Sequence, residues 1–138
     1  MARDKYHYQV RDAMVKDGWT ITDDPFRLTV GVKDVFMDLG AERLLAAEKD
    51  NEKIVVEVKS FPARSFLADF YSAVGKYVTY EDALLLRAPG RKLFLAVPDH
   101  IYQAEMYRDE LVEAVLQHRH IQVIVVDVFK KIIVKWIK

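Results

Sequence analysis

The chain has 138 residues, of which 51% are hydrophobic and 12% are aromatic, so it can bury a core and is too apolar to be disordered. The 21 basic residues balance 21 acidic ones, and this zero net charge argues against strong non-specific binding to nucleic acid. The absence of cysteine excludes disulfides, thiolate metal sites and cysteine nucleophiles. Because the amino terminus lacks an apolar signal segment and no apolar run could span a bilayer, we expect a cytoplasmic protein without membrane contact.

The first half of the chain is predicted to begin with a helix and to continue as strands. Apolar residues at helical spacing, His7, Val10 and Met14 among them, predict an amphipathic helix over residues 4–17. A short strand is predicted over residues 19–22, and the Asp-Asp-Pro sequence that follows predicts a loop. Three further strands are predicted to form a meander with tight connections, over residues 33–39, 43–49 and 53–60.

The second half alternates helices with strands. Pro62 breaks the preceding strand, and Ser65 can cap a helix that runs to about Arg87. Further elements are predicted as a strand over 92–97, a helix from 98–99 to about 117, and strands over 121–126 and 131–137.

This order predicts an α/β fold in one domain over residues 1–138, with a mixed β-sheet and helices on both of its faces. The most apolar strand positions should be buried, namely Val55, Val58, Leu95, Val97, Ile124 and Val126.

The strongest chemical signal is the pairing of Asp38 with Glu57 and Lys59. Asp38 ends an alternating run, and Glu57-Val58-Lys59 ends an apolar strand one hairpin later. Side chains alternate across a strand, so Glu57 and Lys59 point to the same face. Two carboxylates can supply oxygen ligands to Mg²⁺ or Mn²⁺, and a lysine beside them can orient water or steady charge on a phosphate. The pattern predicts a catalytic site at Asp38, Glu57 and Lys59, with Asp38 and Glu57 as metal ligands.

An ordinary solvated strand is the competing interpretation of Glu57-Val58-Lys59. Composition alone predicts about two acid-x-Lys triplets in a chain of this size, and the outer face of an exposed strand often has this pattern. The position at a strand end, with an acid upstream and a helix downstream, favours the nuclease-type site.

Several other residues are candidates for a supporting role. Lys76 and Arg64 are candidate DNA contacts, with Lys53 as a further basic residue, while a lysine on the wet face of the helix is an equally good interpretation of Lys76. His7 is expected to be a core histidine, and Asp12 to lie nearer the wet face of the first helix. The lysines near the carboxyl terminus are expected to form a solvated strand face.

The whole chain resembles the XisH family, the fdxN element excision controlling factor proteins of cyanobacteria. The resemblance is carried, in order, by the segments KDGWTIT, DLGAERL, AEK, VEVKSF and LAVP, at residues 16–22, 38–44, 47–49, 56–61 and 95–98. It implies a restriction-endonuclease-like fold with a PD-(D/E)xK site, on which Asp38, Glu57 and Lys59 match the metal acid, the second acid and the lysine. Met37 departs from that motif, since it stands where the proline would be.

The resemblance also implies a biological setting. Members of the family assist a site-specific recombinase that removes a DNA element during heterocyst differentiation, and they typically go with an XisI-type partner protein. Partners expected on that basis are DNA, the XisI-type protein and the recombinase, and we also consider self-association of the chain.

Three functions stay open at this point. The first is a Mg²⁺-dependent endonuclease acting on DNA. The second is a non-catalytic DNA-binding factor that retains the fold. The third is a protein–protein module that needs its XisI-type partner and uses exposed Tyr71, Tyr77 and Tyr80. The intact triad favours the first function, and the neutral charge favours the third over the second.

Overall fold

The computed structural model describes residues 4–34, 44–62 and 64–138. The strands are β1 (Thr20–Phe26), β2 (Thr29–Val30), β3 (Lys33–Asp34), β4 (Leu44–Lys49), β5 (Glu52–Val58), β6 (Arg91–Pro98), β7 (Val123–Asp127) and β8 (Ile132–Ile137). The helices are α1 (His7–Lys16), α2 (Phe66–Arg87), the short α3 (Asp99–Ile101), which continues as a π-helical segment (Tyr102–Met106), and α4 (Glu110–His118).

Six strands form one mixed sheet in the order β1-β4-β5-β6-β7-β8. The central strands β5, β6 and β7 are parallel, while β1, β4 and β8 pair in antiparallel fashion. Strands β2 and β3 form a separate hairpin. The predicted mixed α/β sheet flanked by helices is confirmed, and the arrangement is consistent with a restriction-endonuclease-like fold.

The central strands β5, β6 and β7 are buried on both faces. One apolar layer joins the sheet to α2, the π-helical segment and α4, and the other joins it to α1. The strand positions predicted to be buried are buried: Val55, Leu95 and Val97 lie in the layer beneath α2, and Val58, Ile124 and Val126 lie in the layer beneath α1. Within the described residues, no helix combines the length and the apolar character that crossing a membrane would need.

Helix α1 packs against strand β8, from the opposite end of the chain. The Lys16 ammonium donates to the carbonyl of Lys130 at 3.1 Å, and the rings of Trp19 and Trp136 lie 5.6 Å apart. Asp12 is exposed, as predicted, and pairs with Lys131 at 3.4 Å. The second apolar layer is therefore closed by the first helix and the last strand together.

The predicted loop at Asp23-Asp24-Pro25 is wrong, because these residues belong to β1. Strand β1 lies at the edge of the sheet and pairs with β4 in irregular register, and an edge strand tolerates a proline that cannot donate a hydrogen bond. The strand next to β4 is therefore β1, and not the strand predicted over residues 33–39. Lys33–Asp34 pairs instead with Thr29–Val30, and residues 35–39 lie outside the described part of the chain.

The predicted helix over about 99–117 is interrupted. Arg108 has φ +59°, a left-handed conformation, and the Asp109 side chain then accepts from the Val112 amide at 2.9 Å to begin α4. In α2 the predicted cap is confirmed, since the Ser65 hydroxyl accepts from the Ala68 amide. The break therefore follows from a second capping residue that the apolar periodicity alone does not show.

Tyr77 joins helix α2 to the sheet. Its buried hydroxyl donates to the carbonyl of Leu93 at 2.9 Å and accepts from the Gln122 amide at 3.1 Å. Burial is the main cause that raises the pKa of Tyr77 to about 12. Tyr77 and Tyr80 were expected to be exposed contact residues, and that expectation is wrong, since both are buried in the layer beneath α2.

Replacing Tyr77 by phenylalanine should lower the free energy of unfolding by about 1–3 kcal/mol, because it leaves a buried backbone carbonyl and amide without the hydroxyl. Urea unfolding at neutral pH measures the loss. Tyr107→Phe is the matched control, because Tyr107 is an exposed tyrosine, and it should change stability by less than about 0.5 kcal/mol. Equal stability of the two variants would contradict the bridging role of the Tyr77 hydroxyl.

Candidate functional site

Glu57 is a carboxylate inside the apolar layer beneath α2. It lies on β5, the second last residue of the strand, with 0% of its surface exposed. Alternation along the strand places it on the same face as Val55, and its neighbour on β6 is Leu95, which belongs to that layer. The negative charge of Glu57 is one of the causes that raise the pKa of Tyr77, which places the carboxylate within electrostatic range of α2. The solvated-strand interpretation of the Glu-x-Lys triplet is therefore wrong.

Lys59 follows directly on the end of β5 and is also buried, with 8% of its surface exposed. Its amide donates to the carbonyl of Ala96 at 3.0 Å, so the parallel pairing with β6 continues past the assigned strand. The next amide, that of Ser60, donates to the Asp4 carboxylate at 2.8 Å. The backbone at Lys59 is thus held by its own bond to β6 and by the bond from the next residue, Ser60, to the Asp4 side chain.

An aromatic stack fixes the chain immediately after Lys59. Phe61 has φ +55°, which turns the chain sharply, and its ring stacks on Phe66 at 5.1 Å. Phe66 in turn stacks on Phe70 at 5.6 Å in the first turns of α2. Sequence analysis missed both Asp4 and this stack as positioning groups. The phenylalanines at 61, 66 and 70 are a signal for the stack, but nothing near Asp4 in the sequence points to Ser60.

Of the other predicted site residues, one lies outside the described part of the chain and three lie on or near α2 and β5. Asp38 lies outside the described residues, so its position relative to Glu57 stays a prediction. Lys76 is half-buried on α2 and precedes Tyr77 in the sequence. The Tyr77 hydroxyl donates to the carbonyl of Leu93, which lies on β6, the strand that pairs with β5 beside Glu57. Arg64 is exposed just before α2 begins, and Lys53 is exposed at the other end of β5 from Glu57.

A buried ion pair lies on the opposite face of the sheet. His7 is a core histidine, as predicted, and its Nε2 lies 2.9 and 3.0 Å from the two Asp24 carboxylate oxygens. Arg11 donates to the same carboxylate. Burial raises the pKa of Asp24, but the hydrogen bonds and positive charges of His7 and Arg11 outweigh it and hold this pKa below its ordinary value. The pair fixes α1 on β1.

A cluster of aromatic rings lies at the carboxyl ends of the parallel strands. Tyr6 lies 6.0 Å from His100 and 6.4 Å from Phe129, and His100 lies 5.4 Å from Phe129. Strands β5, β6 and β7 are parallel, so their carboxyl ends lie together, and the ring cluster lies at the same end of the strands as Lys59. The lysines near the carboxyl terminus are exposed, as predicted, and the Lys135 ammonium lies 4.7 Å from the ring centre of Tyr102.

The described residues therefore define a mixed α/β protein with a buried glutamate and lysine at the carboxyl end of a central parallel strand. A glutamate supplies oxygen donors of the kind that Mg²⁺ and Mn²⁺ prefer, and a lysine supplies a donor to phosphate oxygens. Within residues 4–34, 44–62 and 64–138, no three His, Asp or Glu side chains lie together as a metal centre would require. The predicted centre includes Asp38, which lies outside these residues.

Comparison with known proteins identifies the family. The family model described as XisH protein matches residues 1–134, so the chain belongs to the XisH family. A crystal structure of an XisH family protein from Nostoc punctiforme PCC 73102 is similar at a TM-score of 0.88 and 35% identity, covering 98% of this chain and 100% of that one. No curated protein matches the chain.

A second crystal structure is similar to the chain over nearly its full length. It is that of an fdxN element excision controlling factor protein from Anabaena variabilis, with a TM-score of 0.87 and 36% identity, covering 96% of this chain and 98% of that one. Both similarities extend over nearly the full length of the chain, so the family assignment made from the sequence segments is confirmed.

Substituting Asp24 by asparagine should lower the free energy of unfolding at neutral pH by about 1–3 kcal/mol, because the variant loses the buried charge–charge contacts. The folded-state pKa of Asp24 is lowered, so its contribution is complete above the unfolded value near ~3.9 and is lost as the pH falls through the folded-state value. The difference between wild type and variant should therefore vanish in acid. Urea unfolding across that pH range measures it.

Asp23→Asn is the matched control for this prediction, since the side chain of this neighbouring residue is 47% exposed. A stability difference for Asp24→Asn that persists at the lowest pH, or an equal loss in the control, would contradict the role of the ion pair.

Proposed function

We propose that the protein is a DNA-acting factor for the excision of a DNA element, and that it has a metal-dependent nuclease-type site at Asp38, Glu57 and Lys59. The observation that carries this proposal is the joint burial of Glu57 and Lys59 at the end of one central strand. The matched family structure from Anabaena variabilis is named as an excision controlling factor, which supports the biological setting.

Burial is the reason to assign chemistry to these two residues. Charged side chains are rarely buried because they lose their hydration, and substitution by apolar residues would often stabilise such a position. Perturbed and buried ionisable groups cluster at functional sites, although structural ion pairs also occur. Glu57 has apolar neighbours, Val55 on its own strand and Leu95 on β6, so packing alone would favour an aliphatic residue there.

Chain connectivity supports Asp38 as the third member. Leu44, the first residue of β4, is the backbone partner of Glu57, and Asp38 precedes Leu44 by six positions. Six residues span at most about 20 Å, so the Asp38 carboxylate can reach the Glu57 end of β5. Asp38 with Glu57-Val58-Lys59 then has the order of a PD-(D/E)xK site.

Each residue of the proposed site has a distinct role. The carboxylates of Asp38 and Glu57 would hold Mg²⁺ or Mn²⁺, whose chemistry is to lower the pKa of a bound water and offset charge on a phosphodiester. The Lys59 ammonium would orient that water or donate to a phosphate oxygen. Because Ser60 is tied to Asp4 and Phe61 to Phe66, the lysine backbone is held in place before substrate arrives.

Basic residues around this end of α2 would contact the DNA backbone. Arg64 is exposed on the segment between Lys59 and α2, where it can reach a phosphate near the site. Lys76 lies further along α2 and would add to the same positive surface, with Lys53 at the far end of β5. Their number is small and the chain has no net charge, which favours action within an assembly over independent tight binding.

Accordingly, we propose an XisI-type protein and a site-specific recombinase as partners in that assembly. The zero net charge also favours a second candidate function, in which the protein is an accessory factor that works through these partners without cutting DNA. The two candidates differ in one property, the turnover of DNA by the Glu57–Lys59 site.

Metal binding is expected to depend on the two carboxylates. Glu57→Gln and Asp38→Asn should each weaken Mn²⁺ binding at least tenfold in a calorimetric titration, since each removes a charged oxygen ligand. Glu52→Gln is the control, because Glu52 lies at the opposite end of the same strand, and it should bind as wild type does. Equal heats for wild type and Glu57→Gln would contradict the metal site.

Lys59 is expected to matter for turnover and not for metal binding. Lys59→Met should keep the Mn²⁺ affinity and lower the rate of cleavage at least 100-fold, while Lys92→Met, at an exposed position near the start of β6, should cut at the wild-type rate. Gel assays on duplex, nicked and branched DNA, with and without an XisI-type partner, measure the rate. A wild type that binds metal and cuts none of these substrates would support the accessory-factor function instead.

A further inference from the structure

The outward side of α2 is almost without charge. Between Leu67 and Leu86, Asp82 is the one charged side chain among the exposed positions of this helix. A helix that faces water ordinarily carries charged and polar residues on that side. The large apolar side chains are well exposed here, with Tyr71 and Leu85 each at 64%. An apolar face of this length on a 22-residue helix, about 33 Å, is the signature of an interface.

The exposed face is centred on one stripe of residues. Its members are spaced by three or four positions and are Leu67, Tyr71, Gly75, Val78, Asp82 and Leu85. The buried side of the helix, with Phe70, Tyr77 and Leu84, already packs on the sheet. The stripe is therefore available to another molecule.

We propose that a second copy of this chain covers the stripe, with the two α2 helices antiparallel about a two-fold axis at their midpoint. In this arrangement, residues whose numbers add to 152 or 153 lie opposite each other. Leu67 then meets Leu85 at each end of the pair, and Tyr71 meets Asp82. At the centre, Gly75 meets Val78. Such self-complementarity is what an isologous interface requires.

The central pair fits by size. A side chain at Gly75 would meet no atom within 4 Å, so the surface there is open. Glycine within a helix is less favourable than alanine, and a close approach of another molecule explains its use. The Val78 side chain of the second copy would fill the space above Gly75.

In this register the Asp82 carboxylate lies opposite a hydrogen-bond donor. A buried carboxylate without a hydrogen bond would oppose association. Opposite Asp82 lies the Tyr71 hydroxyl, which would donate to the carboxylate, and tyrosine is frequent in interfaces for this reason. A parallel pairing would instead bring Asp82 against Asp82, and this like-charge contact disfavours it.

Cysteine cross-linking tests the register directly, because the natural chain contains no cysteine. The double variant Leu67→Cys/Leu85→Cys should form a covalent dimer under mild oxidation, whereas each single variant should not. In the antiparallel pair the same position on two copies is separated by about 27 Å along the helix, far beyond the ~7 Å limit between the Cα atoms of a disulfide. Dimers from either single variant, or none from the double variant, would overturn the proposal.

Oligomeric state in solution provides the second test. Wild type should sediment as a dimer, and Leu85→Glu should weaken dimerisation at least tenfold. Leu111→Glu is the matched control, since Leu111 is similarly exposed on α4 and lies away from the stripe, so this variant should stay dimeric. Thermal melts show that both variants fold. A wild type that is monomeric throughout, including one whose α2 face binds an XisI-type protein instead, would overturn the proposal.

Discussion

The central strands β5, β6 and β7 are covered on both faces, and this double burial is the constraint on which the rest of the molecule depends. Helices cover these apolar strands on each side, so the middle of the sheet is shielded from water. A charged side chain placed there must be accommodated by the protein itself. This requirement applies to Glu57 and Lys59, which are both buried at the end of β5 next to a turn.

The positions of both groups depend on hydrogen bonds and ring contacts from distant parts of the chain. Asp4 reaches Ser60 from ahead of α1, and Phe61 stacks against α2 from the other side. Tyr77 ties that helix to β6 and to the segment before β7. The site is consequently supported by rigid elements of both apolar layers, as a preorganised constellation requires.

Much of this arrangement could be predicted from local patterns. The apolar runs around Val55, Leu95 and Ile124 predicted the buried strands, and Ser65 predicted the start of α2, because these signals act within a few residues. Strand β1 could not be found in this way, since its Asp-Pro sequence is stabilised by edge position and by His7 and Arg11 from a neighbouring helix. The burial of Glu57 was equally beyond local patterns, because alternation gives the face of a side chain and not what covers that face.

The packing of α1 on β8 has a consequence for how the protein is made. Synthesis proceeds from the amino terminus, so α1 emerges well before its partners Lys130 and Trp136. Until then, the buried side of α1, including Val10 and Met14, has only part of its cover. Completion of the second apolar layer therefore waits for the synthesis of β8. A ribosome that stalls before Trp136 would leave this helix exposed to chaperones and proteases.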